Sequence, residues 1–204
     1  MKVWPALAAV LLVLAGCATP PAPAPRPDGP ALAMDGNVLR HGPSGMAFPA
    51  EVAGFRRAGQ RIYDAAGTDV SAGYDLVAPR GAMVATIYVF PAPANAGGQS
   101  PAVLLFERYK HEISTVHGGA KPVAEERAEP PPGATGTEGW RARYAYTEEF
   151  AGARTALRSE LFVFCCIAPG WALEYRFTYP ERSGLDDAVV RFMRALRVTI
   201  SAGS

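Results

Sequence analysis

The chain has 204 residues, with 20 lysines and arginines against 19 aspartates and glutamates, for a formal net charge of +1. That balance gives no electrostatic footprint for nucleic acid or for an anionic lipid surface, so neither is an expected partner. The length suits one folded domain with an extension rather than a multidomain assembly.

Lys2 precedes an uncharged apolar run over residues 6–14, which closes in Leu14-Ala15-Gly16-Cys17. A positive start, a short apolar stretch and small residues at the break read as a secretory signal. The run is shorter than the ~20 apolar residues that span a bilayer. The cysteine directly after Ala15-Gly16 resembles the bacterial lipoprotein signal. That resemblance implies cleavage after residue 16, acylation of the Cys17 thiol with groups such as palmitate, and a mature N-terminus at Cys17. Residues 18–30 are almost wholly alanine and proline. Such a segment cannot bury enough apolar surface to fold and is expected to act as a semi-rigid tether. Ala18 and Thr19 follow the cysteine with no aspartate next to it. By the same resemblance, that pattern implies the outer membrane, with the protein facing the periplasm. The expected organisation is a signal peptide over 1–16, a lipidated cysteine with a Pro/Ala-rich linker over 17–44, and a globular domain over 45–204.

The domain opens with a strand over 55–63, a turn at Ala65-Ala66-Gly67-Thr68-Asp69, and a hairpin partner over 70–77. Residues 83–90 are apolar on both alternations, which predicts a central strand covered on both faces. A helix follows: Ser100 suits its N-cap, Pro101 its first position, and Gly118-Gly119 its end. Ala102, Phe106, Tyr109, Ile113 and Val116 form its apolar stripe, and a strand over 121–128 follows. Glu129-Pro130-Pro131-Pro132-Gly133 is a loop.

Three strands with clear alternation come next. Trp140, Ala142, Tyr144 and Tyr146 oppose Arg141, Arg143 and Thr147. Leu157, Leu161 and Val163 oppose Arg158 and Glu160, before the strand becomes wholly apolar through residues 162–167. Trp171, Leu173, Tyr175, Phe177 and Tyr179 alternate with Glu174, Arg176 and Thr178. Period-two patterning of this kind predicts antiparallel strands with one wet side. Ser183, with Asp186 three residues later, matches a capping box for a last helix. Leu185, Val189, Phe192 and Leu196 form that helix's stripe, and Ile87 or Val89 is expected beneath the earlier helix carrying Phe106 and Tyr109. The fold class is α+β, an antiparallel sheet flanked by two helices.

This order and several phrases resemble the Mog/PsbP-like α/β/α sandwiches over roughly residues 46–200. The phrases are Phe48-Pro49 before Gly54-Phe55-Arg56, Tyr74 ahead of Ala85-Thr86-Ile87-Tyr88-Val89, and Leu173-Glu174-Tyr175-Arg176-Phe177 before a helix with Phe192 and Leu196. The resemblance implies a sandwich with a helix on each side of the sheet, and a role in binding or assembly.

No catalytic motif accompanies it. Gly42-Pro43-Ser44-Gly45 lacks the nucleophile-elbow spacing, and Gly97-Gly98 lacks the spacing and lysine of a phosphate loop. His41 sits in a Gly/Pro-rich stretch and is expected to be exposed. His111 and His117, six apart, lie about 120° from each other on a helix, whereas metal-binding pairs use spacings of three or four. Glu125-Glu126, Glu148-Glu149 and Asp186-Asp187 are adjacent pairs, read as solvated surface or cap residues. Cys165 and Cys166 are read as buried, reduced apolar fillers, because neighbours on a strand point to opposite faces. A vicinal disulfide with a redox role is the alternative, and a metal pair would lack further cysteine or nearby histidine ligands.

A polar face carrying Arg141, Arg143, Arg158, Glu160, Glu174 and Arg176 remains. It reads as cross-strand ion pairs on a wet surface, or as a binding face for an acidic partner, with the four arginines as its contacts. The expected function is a lipid-anchored, non-enzymatic binding or assembly module of the cell envelope. It needs no cofactor, reaches the membrane through its N-terminal lipid, and engages an envelope protein partner. The competing reading is a periplasmic enzyme whose site is assembled from residues distant in sequence. Cys17→Ala should leave an unacylated, uncleaved precursor, as judged by membrane fractionation and intact mass. Normal acylation and processing of that variant would refute the anchor.

Overall fold

The computed structural model describes residues 30–93, 98–134, 137–168 and 170–200. The signal, Cys17 and the tether through residue 29 lie outside the described residues. The elements run β1 (Leu32–Asp35), β2 (Val38–His41), β3 (Ala47–Pro49), β4 (Glu51–Val52), β5 (Phe55–Ile62), β6 (Val70–Ala78) and β7 (Gly81–Pro91). Then come α1 (Pro101–Val116), β8 (Pro122–Arg127), β9 (Glu138–Phe150), β10 (Ala153–Ala168), β11 (Trp171–Pro180) and α2 (Asp186–Ala195). This is an α+β domain built on antiparallel sheet.

Eight strands form the main sheet in the order β4-β5-β6-β7-β11-β10-β9-β8, and β1-β2-β3 form a small second sheet. Chain neighbours pair as hairpins on each half, and β11 returns to lie antiparallel against β7. The doubly apolar run over 83–90 therefore sits in mid-sheet, as its lack of a polar alternation requires. Met83, Ala85, Ile87 and Val89 face one side, where Phe55, Tyr74, Phe177 and Phe192 build the larger core under α2. Phe90 faces the other side and joins Phe106, Tyr109, Ala142, Leu161 and Val163 under α1. The two helices thus lie on opposite faces of the sheet.

The structure corrects the sequence expectations for these elements in four places. First, β1 and most of the β2-β3 connection lie within residues 17–44, the stretch assigned to the tether. The folded body begins by Leu32, because Leu32 and Leu39 pack on the larger core; four-residue strands are too short to announce themselves by periodicity. Second, Ile87 and Val89 lie under α2, not under α1. Alternation says which residues share a face, but only strand pairing says which helix covers it.

Third, α1 buries Leu105 with Ala102, Phe106, Tyr109 and Ile113, while Val116 is 65% exposed in its last turn. The start signals hold, with Pro101 in first position and the Ser100 hydroxyl accepting the Val103 N–H at 3.5 Å. Fourth, α2 starts at Asp186 after Leu185 and has no side-chain cap. The Ser183 hydroxyl instead donates to the Pro180 carbonyl at 2.7 Å, inside the turn that ends β11. Asp186 is held by Arg158, and Leu185, Val189, Phe192 and Leu196 are buried as their spacing predicts.

Ile87 is fully buried in the mid-sheet core. Ile87→Ala should cost ~2–5 kcal/mol in urea melts, as for other large aliphatics in packed cores. Val116→Ala should stay within ~0.5 kcal/mol. A harmless Ile87→Ala would contradict the β6-β7-β11 pairing.

Candidate functional site

Eight strands spaced by about 4.8 Å make a sheet about 34 Å wide, whereas a helix with its side chains is about 10–12 Å across. One helix per face cannot cover such a sheet. α1 packs over β9 and β10, and α2 packs through Phe192 on Phe55, Tyr74 and Phe177 of β5, β6 and β11. On the α2 face, the β8-β9-β10 edge is left as the floor of a groove of about 760 Å³. Phe162 and Arg141 form the floor, α2 supplies Val189, Val190, Met193 and Arg194, and the Pro130-Pro131-Pro132 loop closes the far side.

That proline wall is pinned from behind. The Pro131 carbonyl accepts the Ala134 N–H at 3.0 Å, and the Pro132 carbonyl accepts the Val198 N–H at 2.9 Å. Gly133, at φ +95°, lies so close to the Val198 backbone that a Cβ there would overlap it. Glycine at this position allows the loop to dock on the C-terminal segment.

Arg141 is the best-held charge in the groove. Its Nε donates to Glu160 Oε2 at 2.9 Å and its Nη1 to Glu126 at 2.9 Å, and the guanidinium lies 5.2 Å from the centre of the Phe162 ring. Glu160 is buried, and its other oxygen accepts the Tyr179 hydroxyl at 2.5 Å. A buried carboxylate needs such partners to remain charged away from water. The Arg141 fork is therefore a fixed part of the floor.

The structure brings three of the four predicted arginines onto this face. Arg143 stands opposite Glu160 in the ladder, with its Nε buried and unpartnered among the described residues. Arg158, one rung further, is committed to Asp186 at the start of α2. Arg176 is elsewhere: it pairs with Leu161 in the β10-β11 register, so it shares Leu161's face, under α1. Glu174 lies on that face as well, opposite Val163. The single polar face expected from alternation is thus two faces, because alternation fixes phase within a strand and register fixes phase between strands. Nor is it uniformly wet, since Glu160 and Glu174 are both buried.

Under α1, Arg176 donates through Nε to Glu174 and through Nη2 to Glu112 of the helix at 3.0 Å, between the rings of Tyr88 and Tyr109. Glu174 is fully buried, and its Oε2 has no partner among the described residues. Burial pushes its carboxyl up from 4.5 to about 7, against the pull of the Arg176 guanidinium.

His41 is buried, not exposed. Its Nε2 sits 2.8 Å from the Gly67 carbonyl, which can only accept, so this nitrogen carries the proton. Nδ1 then accepts the Ser44 hydroxyl at 2.7 Å, while Ser44 Oγ accepts the Met46 N–H at 3.1 Å. This nucleophile–base pair is sealed, since both residues are fully buried, and it ties the small sheet to the β5-β6 turn. The Gly/Pro content around His41 hid that closure, which needs a partner 26 residues away. His117, on α1's C-cap, stacks on Tyr146 and meets Glu148 at 2.8 Å, well apart from the groove's arginines on the other sheet face.

Cys165 and Cys166 are joined as a disulfide, not held as two reduced thiols. The β10 register slips between Cys165 and Ala168, so the alternation that argued against a bond ends at Cys165. Cys165 is buried toward α1 and Cys166 is exposed. Among the described residues no cluster of three or more His, Cys, Asp or Glu side chains is arranged to hold a metal ion, and no helix is long and apolar enough to cross a membrane.

Fold and site together define an α+β domain with an apolar, arginine-bearing groove on one face of its sheet. No family model, curated protein or solved structure matches the chain.

Burial holds the His41 imidazole below its ordinary value of 6.5, outweighing the Gly67 hydrogen bond and the Asp64 charge. Stability from this group is complete above the unfolded value and is lost as pH falls below it. Glu174 runs the other way: its contribution is complete below 4.5 and is lost as pH rises through about 7. Urea melts at about pH 5 and about pH 8 should separate the two. His41→Gln should reduce the loss on acidification, and Glu174→Gln should reduce the loss on the alkaline side. Unchanged pH profiles in both variants would contradict these burials.

Proposed function

We propose that this chain is a lipid-anchored envelope protein, held through Cys17 and a Pro/Ala-rich tether. In this reading its folded body acts as a non-enzymatic binding or assembly module. The observation that carries it is the open groove between α2 and the β8-β10 edge, with an apolar body and arginine side chains along its floor and rim. Concave, mostly apolar surfaces with a few placed polar groups are what binding sites generally offer. The placement of one helix on each sheet face also supports kinship with the Mog/PsbP-like sandwiches, on the residues quoted above. The lipoprotein signal supports the anchor and an outer-membrane, periplasm-facing location.

The enzyme reading would draw on residues distant in sequence. The Ser44–His41 pair has the right atoms in reach, but both residues are fully buried, and its bonds to Gly67 and Met46 suit a structural tie.

A photo-crosslinking amino acid at Val190, which is 47% exposed on the groove rim, tests the binding face in intact cells. Discrete adducts should form from position 190 and not from Val77, a more exposed control on the β6-β7 hairpin. Equal labelling from both positions, or none from 190, would overturn the reading.

A further inference from the structure

We propose that Cys165–Cys166 is a thiol–disulfide exchange site, reduced by a dithiol that attacks at Cys166, and that the end of the β10-β11 hairpin changes its pairing with the state of the pair. The site lies outside the groove, neither cysteine being among the residues that line it, and is independent of the binding reading. Its two sulfurs are unlike in access. Cys165 is 3% exposed and belongs to the core under α1 with Ala102, Leu105 and Phe106, whereas Cys166 is exposed. Exchange requires a thiolate to reach one sulfur of the bond, and access decides which. The attacking thiolate therefore bonds to Cys166, the bond between Cys165 and Cys166 breaks, and Cys165 takes up the proton that the attacker lost. The donor's second thiol then attacks the donor sulfur of this mixed disulfide and releases Cys166 as a thiol. The pair gains two electrons and two protons, and the dithiol leaves as a disulfide.

The strand around the pair has two arrangements. Neighbours on a strand point to opposite faces, whereas a disulfide holds its two Cβ atoms ~3.5–4.5 Å apart. The bond is therefore incompatible with a regular ladder through both residues. Regular pairing ends there on both sides of β10. Cys165 pairs with Glu138 of β9 and with Ala172 of β11, and Cys166 and Ile167 pair with neither strand among the described residues. Pairing with β11 resumes only between Ala168 and Trp171, in a shifted register. Once reduced, Cys166 is free to alternate with Cys165. Continuing the Cys165–Ala172 register then places Cys166 opposite Trp171 and leaves residues 167–170 as a four-residue hairpin loop, a common length. Reduction thus adds a rung to the ladder, and oxidation removes it.

The test uses the full chain purified without reductant, with dithiothreitol as the dithiol. Trypsin cuts after Arg158 and Arg176, so one peptide over residues 159–176 reports both cysteines. N-Ethylmaleimide added with denaturant but no reductant should leave that peptide unlabelled. Dithiothreitol applied to the folded protein should open it to two labels, at a rate within about tenfold of the rate in urea, because the attacked sulfur is reachable. Cys165→Ser should trap a mixed disulfide with oxidised glutathione at Cys166, and Cys166→Ser should do so at Cys165 at least about tenfold more slowly. Amide hydrogen exchange over residues 165–171 should slow about tenfold on reduction, while exchange in α2 stays unchanged. The wild-type reduction and exchange measurements decide the matter whether or not the two serine variants fold. Two labels without reductant, reduction only after unfolding, equal trapping by both variants, or unchanged exchange at the hairpin end would each overturn the proposal.

Discussion

The architecture depends on a mismatch of widths. An antiparallel sheet of eight strands is about three times as wide as a helix, and among the described residues each face has one helix. α1 lies over β9 and β10, whereas α2 lies over β5, β6 and β11, so each face has a covered part and an open part. On the α2 face the uncovered strands are β8 to β10, and the proline loop with the C-terminal segment behind it builds the missing wall. The groove is therefore a consequence of coverage. Lengthening α2 along its axis would not fill it, whereas a second helix beside α2 would.

Two carboxylates are buried, one on each face of the sheet. Glu160 is matched by Arg141, with Tyr179 as a further donor, and Glu174 by Arg176, which also reaches Glu112 of α1. The difference lies in satisfaction. Glu160 has partners on both oxygens, whereas Glu174 keeps one oxygen unpartnered, which is why burial dominates its titration. Breaking the Glu160 network would expose a buried charge with fewer partners, so Arg141 serves the fold as much as the groove.

His41 joins the small sheet to the main one through its hydrogen bond to the Gly67 carbonyl at 2.8 Å and an edge contact with Trp171 at 5.5 Å. Leu39 and Phe48 carry the same junction in apolar contacts. Residues 32–41, expected to belong to the linker, are thus part of the folded body. The closing contacts run between residues far apart in the chain, from Ala47 to Thr199 and from Pro132 to Val198.

The sequence by itself determined the element types. Period-two runs became β9, β10 and β11, a doubly apolar run became mid-sheet β7, and Ser100-Pro101 with Gly118-Gly119 bounded α1. These are local signals, set by backbone geometry and by which side chains alternate. The resemblance of the segment ending at Cys17 to a lipoprotein signal is local in the same sense, and rests on sequence alone. Only the tertiary structure decided which face each alternation serves. Arg141, Arg143 and Arg158 share the groove's face, while Arg176 sits opposite them under α1, because the pairing of Arg176 with Leu161 sets the phase of one strand against the next. Tertiary structure also decided that His41 is buried and that Pro130-Pro131-Pro132 forms a wall. Both depend on partners brought close by folding, and no spacing along the chain encodes that distance.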